Sequence, residues 1–322
     1  MKRVDHLNSA KQRKCDEFYT SMKDIENEMV LYTDYFKDKT ILCNCDDPTK
    51  SNFVKYFIEH FHEFGLKRLL ASCYKKQDLH STEPAVWSEY DGKNMQIHEH
   101  KGDGDFRSAE VIELLKQADV VITNPPFSLF REYIAQLLEY NKKFIIMGHM
   151  TATSYINVFR SLREGRVWFG QHNTDTKWFE VPEEYTSYHY ATEKVMNGRK
   201  HFRMRSVVWF TNLKINRTFQ ITEFTKTYNS DTYRKYDNYN AIEVSQVLNI
   251  PKDFEGLMGV PITFLLKCDY TKFEIVQIHK RLKLDGANVF TRIIIKHKHI
   301  TKDEKNAVDD RAIRDNQFGK AV

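Results

Sequence analysis

No run of apolar residues in this 322-residue chain approaches the roughly 20 needed to cross a bilayer. The basic start MKRVDHLNSAKQRK is followed by no apolar stretch of the kind a secretory leader carries. The expectation is a cytoplasmic protein with no membrane contact. Cysteine is scarce. Five in a chain of this size, an odd number, fit a reducing compartment better than a disulfide framework. Cys43 and Cys45 form a C-x-C, but no second Cys/His pair stands at zinc-finger spacing, so no metal is expected. There is no large excess of one charge: 49 Lys and Arg against 44 Asp and Glu leave +5, which permits nucleic acid without requiring it. Internal repeats and low-complexity tracts are absent too.

What remains is a globular composition, 41% hydrophobic and 29% charged, long enough for a large core and one or two domains. Aromatic residues reach 13%, mostly Phe and Tyr. Such rings more often fill a core than form a stacking platform, though they keep stacking available.

Elements alternate along the first two thirds. KTILCN (Lys39–Asn44) reads as a buried strand and DDPTKSN as a turn. Ser51 is placed to cap a helix that carries Phe53, Phe57, Phe61 and Phe64 at helical spacing and closes on Gly65. KRLLASCY (Lys67–Tyr74) is the next strand, and Trp87–His100 a hairpin about Asp91-Gly92. A helix over Ser108–Ala118 delivers the chain to the strand DVVIT. SLFREYIAQLLEY, KFIIMG, SYINVFRSLREG, RVWFG and VVWFTNL continue the alternation to Leu213. Strands alternating with amphipathic helices predict an open, mainly parallel α/β sheet, whose ligands sit beyond the carboxyl ends of the strands. From Lys214 the alternation fades into Tyr-rich, basic, strand-like segments, and from Thr301 into a charged tail. The expected division is 1–213, with a basic arm over 1–14, and 214–322.

The stretch DVVITNPPFSLF (Asp119–Phe130) carries the chemistry. Two prolines end the strand, because neither has an N–H for the ladder. The residue before a proline is held extended, so Asn124 and Pro125 are both constrained and the loop is stiff. An Asn side-chain oxygen beside a backbone carbonyl makes a pair of acceptors suited to an NH2 group, and Phe127 can cover the flat group that carries it. An exocyclic amine on a nucleobase is a poor nucleophile, since its lone pair is delocalised. Acceptors on both hydrogens favour a pyramidal nitrogen and stabilise the charge that develops on attack. Asn124, Pro125, Pro126 and Phe127 are therefore the candidate catalytic residues.

These residues, with CDEFYT (Cys15–Thr20), DIENE (Asp24–Glu28), CNCDDP, LLASCY, GDGDFRS, FTNL, KYDNY (Lys235–Tyr239) and MGVPITFL (Met258–Leu265), resemble the EcoRI-type adenine-specific DNA methyltransferases. The motifs occur in that family's order and cover most of the chain, least well over Thr151–Ser206 and the tail. The resemblance implies a Rossmann-like S-adenosylmethionine-dependent methyltransferase fold with a smaller C-terminal target-recognition region. It implies methyl transfer to N6 of an adenine flipped out of double-stranded DNA. It implies a cytoplasmic bacterial or phage enzyme, with the nucleoid when bound, and a cognate restriction endonuclease acting on the same site without direct binding. For the cofactor, the carry-over gives Asp16, Phe18, Tyr19 and Thr20 in DEFYT, and Asn44, Asp46, Asp47 and Pro48 in CNCDDP. It also gives Asp103, Asp105 and Phe106 in GDGDF, with Asp105 accepting from the cofactor's adenine amine.

Plainer readings stand beside these. DEFYT also fits a helix cap with two core aromatics, GDGDF a turn, and Asp47-Pro48 a turn start. CNCDDP lacks the glycine-rich loop of the wider superfamily, and LLASCY lacks its acidic ribose contact. The same chemistry on RNA adenine or protein glutamine, and a non-catalytic DNA-binding protein of this fold, are the alternatives. DNA-contact candidates are Arg234, Lys235 and Asn238, and Lys11, Arg13 and Lys14 of the arm, with Lys2, Arg3, Arg292, Lys296 and Lys298 as further phosphate contacts.

Overall fold

The computed structural model describes residues 19–75, 84–173, 177–180, 193–196, 198–204 and 206–298. Of the expected site residues, Lys2, Arg3, Lys11, Arg13, Lys14, Asp16 and Phe18 lie outside them, as does the tail from Thr301. The chain divides into two compact units, Met1–Thr218 and Phe219–Val322.

The strands of the first unit are Tyr19–Thr20 (β1), Thr40–Cys43 (β2), Arg68–Ser72 (β3), Val86–Tyr90 (β4), Met95–Glu99 (β5) and Val120–Thr123 (β6). Lys143–His149 (β7), Trp168–Phe169 (β8), Lys177–Glu180 (β9), Glu193–Met196 (β10), Arg199–Met204 (β11) and Val207–Thr211 (β12) follow. Its helices are Met22–Met29 (α1), Asn52–Glu59 (α2), Ala109–Gln117 (α3), Phe130–Glu139 (α4) and Ile156–Arg163 (α5). Among the described residues eight strands form one sheet in the order β5-β4-β3-β2-β6-β7-β12-β8. Strands β3, β2, β6 and β7 are parallel neighbours, and the flanking pairs are antiparallel. The expected parallel sheet is thus confined to the centre, and the sheet is mixed. The hairpin at Asp91-Gly92 explains one flank, since a turn that short can join only antiparallel neighbours.

Strands β2, β6 and β12 are buried along their whole length, which is why they read as unbroken apolar runs. Helix α2 lays Phe53, Val54, Tyr56 and Phe57 on the sheet, each such side chain worth roughly 1.5–3 kcal/mol relative to exposure. The Ser51 hydroxyl caps it by accepting from the Phe53 N–H. The helix stops at Glu59, short of the expected Gly65. Beyond it i→i+3 bonds, from Phe61 N–H to Ile58 O and from Gly65 N–H to His62 O, flank a single i→i+4 bond from Phe64 N–H to His60 O. Gly65, at φ +60°, then lets the Leu66 N–H reach Phe61 O and turns the chain back toward β3. Phe61 and Phe64 stay buried all the same.

A second sheet, β1-β9-β11-β10, joins the chain's first described residues to its 170s, with Thr20 opposite Phe179. Beside it Glu28 is fully buried on α1. It accepts from the Tyr32 hydroxyl (3.0 Å), the N–H groups of Gln171 (2.9 Å) and His172 (2.8 Å), and contacts His172 Nδ1 (3.1 Å). A Cβ on Gly170 would lie 2.1 Å from its Oε1, so this position must be glycine. Lys177, also buried, pairs with Asp24 at 3.3 Å. That is what the segment DIENE does here.

The second unit holds Lys235–Tyr236 (β13), Tyr239–Glu243 (β14), Met258–Pro261 (β15), Phe273–His279 (β16), Lys283–Leu284 (β17), Ala287–Asn288 (β18) and Arg292–His297 (β19). Five of these form a sheet in the order β13-β14-β15-β19-β16, centred on the buried Ile293, Ile294 and Ile295.

Candidate active site

Because β3, β2, β6 and β7 run parallel and adjacent, their carboxyl ends share one edge of the sheet. Cys43 is level with Ala71, and Thr123 with Ile146. That edge brings together Asn44–Pro48, Cys73–Lys75, Asn124–Phe127 and His149.

Asp46 ties two of these ends. It is buried, its Oδ1 accepts from the Ser51 hydroxyl at 2.7 Å, and its Oδ2 accepts from the Thr123 hydroxyl. The Asn124 backbone N–H also donates to it, and its own N–H bonds Ser72 O at 3.0 Å. Burial pushes its carboxyl up to about 6, with the three donors pulling the other way. Asp46 therefore clamps the residues on either side of the Thr123–Asn124 peptide to the end of β2, a role that sequence spacing does not reveal. Beyond the clamp Pro125 is buried, Asn124 is half-buried, and Phe127 packs its half-buried ring on the main core before α4 begins. Asp47 behaves as the plainer reading has it: its Oδ1 accepts from the N–H and hydroxyl of Thr49 at 2.8 and 2.7 Å, starting the turn that runs into α2 over the buried Pro48.

Asn44 is buried next to the clamp. Its Oδ1 accepts from the Tyr133 hydroxyl, while its Nδ2 has no partner among the described residues. A buried amide donor left so costs about 1–3 kcal/mol, and an acceptor on a bound molecule would remove that cost. Thr20 joins the same edge from β1. Its hydroxyl reaches Met147 Sδ at 3.1 Å, and its carbonyl accepts from Asn52 Nδ2 at 2.8 Å. Of Tyr19 the structure describes only the backbone, opposite Glu180.

The GDGDF loop closes over the end of β3. Gly104, at φ +74°, lies so close that a Cβ would sit 2.3 Å from Cys73 O. The Asp103 carbonyl takes the Lys75 N–H at 2.8 Å, and its carboxylate takes the Asp105 N–H at 3.1 Å. Asp105 grips Arg107 through two bonds of 2.9 and 2.7 Å, and this partner holds its carboxyl below the usual range. Phe106 is buried edge-on to Tyr133, ring centres 5.0 Å apart.

Two residues that the sequence did not flag belong here. Tyr74 is 47% exposed just past β3, its phenol pushed up by burial and by the Asp103 and Asp105 carboxylates. His100 is buried and reaches the Ser72 hydroxyl at 2.9 Å, bracing the end of β3.

In the second unit Arg234, Lys235 and Asn238 are exposed, with Arg234 paired to Asp285. Arg292 cannot serve as a phosphate contact. It is buried, and its guanidinium is held by both oxygens of Glu243, at 2.7 and 3.1 Å, because a basic strand residue that points inward needs a carboxylate. Lys296 pairs with Glu274 at 3.0 Å, and Lys298 is exposed. No helix of the described residues is long and apolar enough to cross a membrane.

The profile of the family described as "Adenine-specific methyltransferase EcoRI" matches residues 6–318. The chain is 42% identical over 317 residues to the Type II methyltransferase M.EcoRI of Escherichia coli, covering 92% of this chain and 97% of that one. It is 39% identical to the Type II methyltransferase M.MgeORF184P of Mycoplasma genitalium, over 85% of this chain and 86% of that one. To M.MpnI of Mycoplasma pneumoniae it is 37% identical, over 85% of each. No solved structure matches it significantly.

Proposed function

This chain belongs to the EcoRI family of adenine-specific methyltransferases and is a DNA adenine methyltransferase, and from that premise we propose which of its residues do the work. The carboxyl edge of β2, β3, β6 and β7 takes S-adenosylmethionine and a flipped adenine side by side. The central parallel strands with antiparallel β12 beyond β7 support a Rossmann-like methyltransferase fold. The observation that carries the assignment is the Asp46 clamp, which fixes Asn124 and Pro125 at the end of a fully buried strand.

The cofactor, when bound, supplies an activated methyl group on a sulfonium. Its fit rests on the buried donor of Asn44, on Thr20 at the same edge, and on the anionic Asp103 and Asp105 beside Tyr74. Asp105, already oriented by Arg107, keeps one lone pair, on Oδ2, for an adenine amine. Asp46 acts by holding the catalytic loop, and Asp47 by starting the turn, so neither is assigned to the cofactor's charge.

On the target, the Asn124 side-chain oxygen and the Pro125 carbonyl take the two amine hydrogens. The nitrogen lone pair is thereby freed for attack. The ring of Phe127 covers the base, and the proton leaves the nitrogen during or after transfer. The second unit, with Arg234 and Lys235 exposed, reads the duplex. The enzyme works on cytoplasmic DNA, and a restriction endonuclease of the same specificity acts there without binding it.

Incubation with labelled cofactor and duplex DNA, RNA or glutamine-bearing protein tests this reading. Label is expected in duplex DNA as N6-methyladenine at one sequence. Label confined to RNA or protein would overturn the substrate assignment.

A further inference from the structure

The link from β16 to β19 in the second unit has no part in the chemistry above, yet it is built as a braced arm. β17 and β18 pair across Asp285-Gly286, both at positive φ (50° and 76°), a two-residue hairpin turn. At its root Leu282 is fully buried and its carbonyl accepts from the Val289 N–H at 2.9 Å. At its tip the Asp237 carboxylate accepts from the N–H groups of Gly286 (2.7 Å) and Asp285 (3.3 Å). Along its side the Asn238 amide donates to Arg281 O (2.8 Å) and accepts from the Lys283 N–H (2.9 Å). Asn238, expected to read bases, spends its amide oxygen and one of its N–H groups on this arm.

Phe290 stands on the returning side of the arm, 87% exposed, and among the described residues no other large apolar side chain is as exposed. The backbone is fixed on both sides of it, by the Val289 N–H and by the Phe290 and Thr291 carbonyls, which accept from Arg292 Nη1 at 3.4 Å. Lys280, Arg281, Lys283, Arg234 and Lys235 are exposed around the arm, against the carboxylates of Asp237 and Asp285. A rigid backbone that presents a bare aromatic ring among cations is complementary to a duplex. Phosphates take the cations, and a large apolar ring is covered on both faces when it enters the base stack.

We propose that this arm engages duplex DNA and that Phe290 wedges between stacked bases, supporting the opening that a flipped adenine requires. The inference rests on the second unit's being the DNA-reading part. It deepens that reading by naming the element and the contact. Arg281 and Lys283, on the outgoing side of the arm, take phosphates beside the wedge.

The test uses the full chain and a duplex bearing the site found by sequencing methylated plasmid DNA, with 2-aminopurine at the target adenine. Phe290→Ala should weaken duplex binding at least tenfold and cut the 2-aminopurine fluorescence rise by half or more, with unchanged Tm and cofactor affinity. Phe290→Trp should restore both, and its added emission should be quenched by the duplex relative to wild type. An alanine variant within twofold of wild type on both readouts overturns the wedge, and so does an unquenched tryptophan that restores neither. A wild-type enzyme that leaves the same duplex unmethylated when it carries adenine at the target overturns the reaction assignment instead, so the two failures are distinct.

Discussion

Replacing Asp46 with asparagine separates charge from shape at the clamp. Burial is the largest influence on this carboxyl, raising it from 3.8 to about 6 against the pull of Ser51, Thr123 and the Asn124 N–H. At 1.36 kcal/mol per pH unit, keeping the anion at pH 7 costs the folded protein about 3 kcal/mol. The sign follows from proton counting. Between about pH 4 and 6 the folded chain holds a proton that the unfolded chain has released. The group's stabilising contribution is therefore complete below about pH 4 and lost as pH rises through about 6. Asparagine has no such proton, so Asp46→Asn should lose this pH dependence and, the lost acceptor offsetting the relief of charge burial, stay within about 2 kcal/mol of wild type at pH 7.5.

Its activity should fall nonetheless. An amide offers one acceptor oxygen to three donors, and the Asn124 N–H loses a charge-assisted bond. The difference between charged and neutral bonds, about 1–2 kcal/mol, corresponds to about a tenfold lower rate of methyl transfer. Denaturant titration and single-turnover methylation between pH 5 and 8 read both effects. The wild-type rate should drop on acidification through about pH 6, and the variant should lack that limb. A flat wild-type profile, or a variant more than about 2 kcal/mol less stable with an unchanged rate, would refute the clamp.

Asn124→Ala should slow single-turnover transfer by about 10²–10³, the loss of about 3–4 kcal/mol typical of one preorganised polar group, while cofactor affinity and Tm hold. Turnover near wild type would remove Asn124 from the reaction. Asp105→Ala should raise the cofactor dissociation constant measured by calorimetry, whereas Arg107→Ala, which keeps the carboxylate, should raise it less. Equal affinity in wild type and Asp105→Ala would place the cofactor's adenine elsewhere. Arg234→Ala should lower the preference for the cognate sequence over single-substitution duplexes. Rates reduced by one common factor on every duplex would mean that Arg234 positions DNA without reading it.

Local pattern carried much of the architecture. The apolar runs of β2, β6 and β12, the Ser51 cap and the Asp91-Gly92 hairpin each show their cause within a few residues. The stiffness of Asn-Pro-Pro-Phe is equally local. The clamp was hidden because Thr123 lies 77 positions from Asp46, and only the sheet makes them neighbours. Strand β11, RKHFRM, has no apolar alternation strong enough to announce a strand. Arg292 looked like a phosphate contact because its basic neighbours are local, while the Glu243 that holds it is 49 residues away.

The buried Glu28 has a consequence for how the chain is made. Two of the backbone N–H groups that satisfy it belong to residues 143 and 144 positions later. While the ribosome is still short of Gln171, helix α1 carries a carboxylate that has the Tyr32 hydroxyl but neither of its backbone donors, and water is its better environment. The opening segment therefore reaches its final docking only once the 170s are made, when β1 also meets its partner β9. Translation thus sets an order of assembly in which the sheet centre precedes the lining supplied by the chain's own beginning. A nascent chain arrested before its 170s would hold the catalytic strand and still lack one wall of the site it serves.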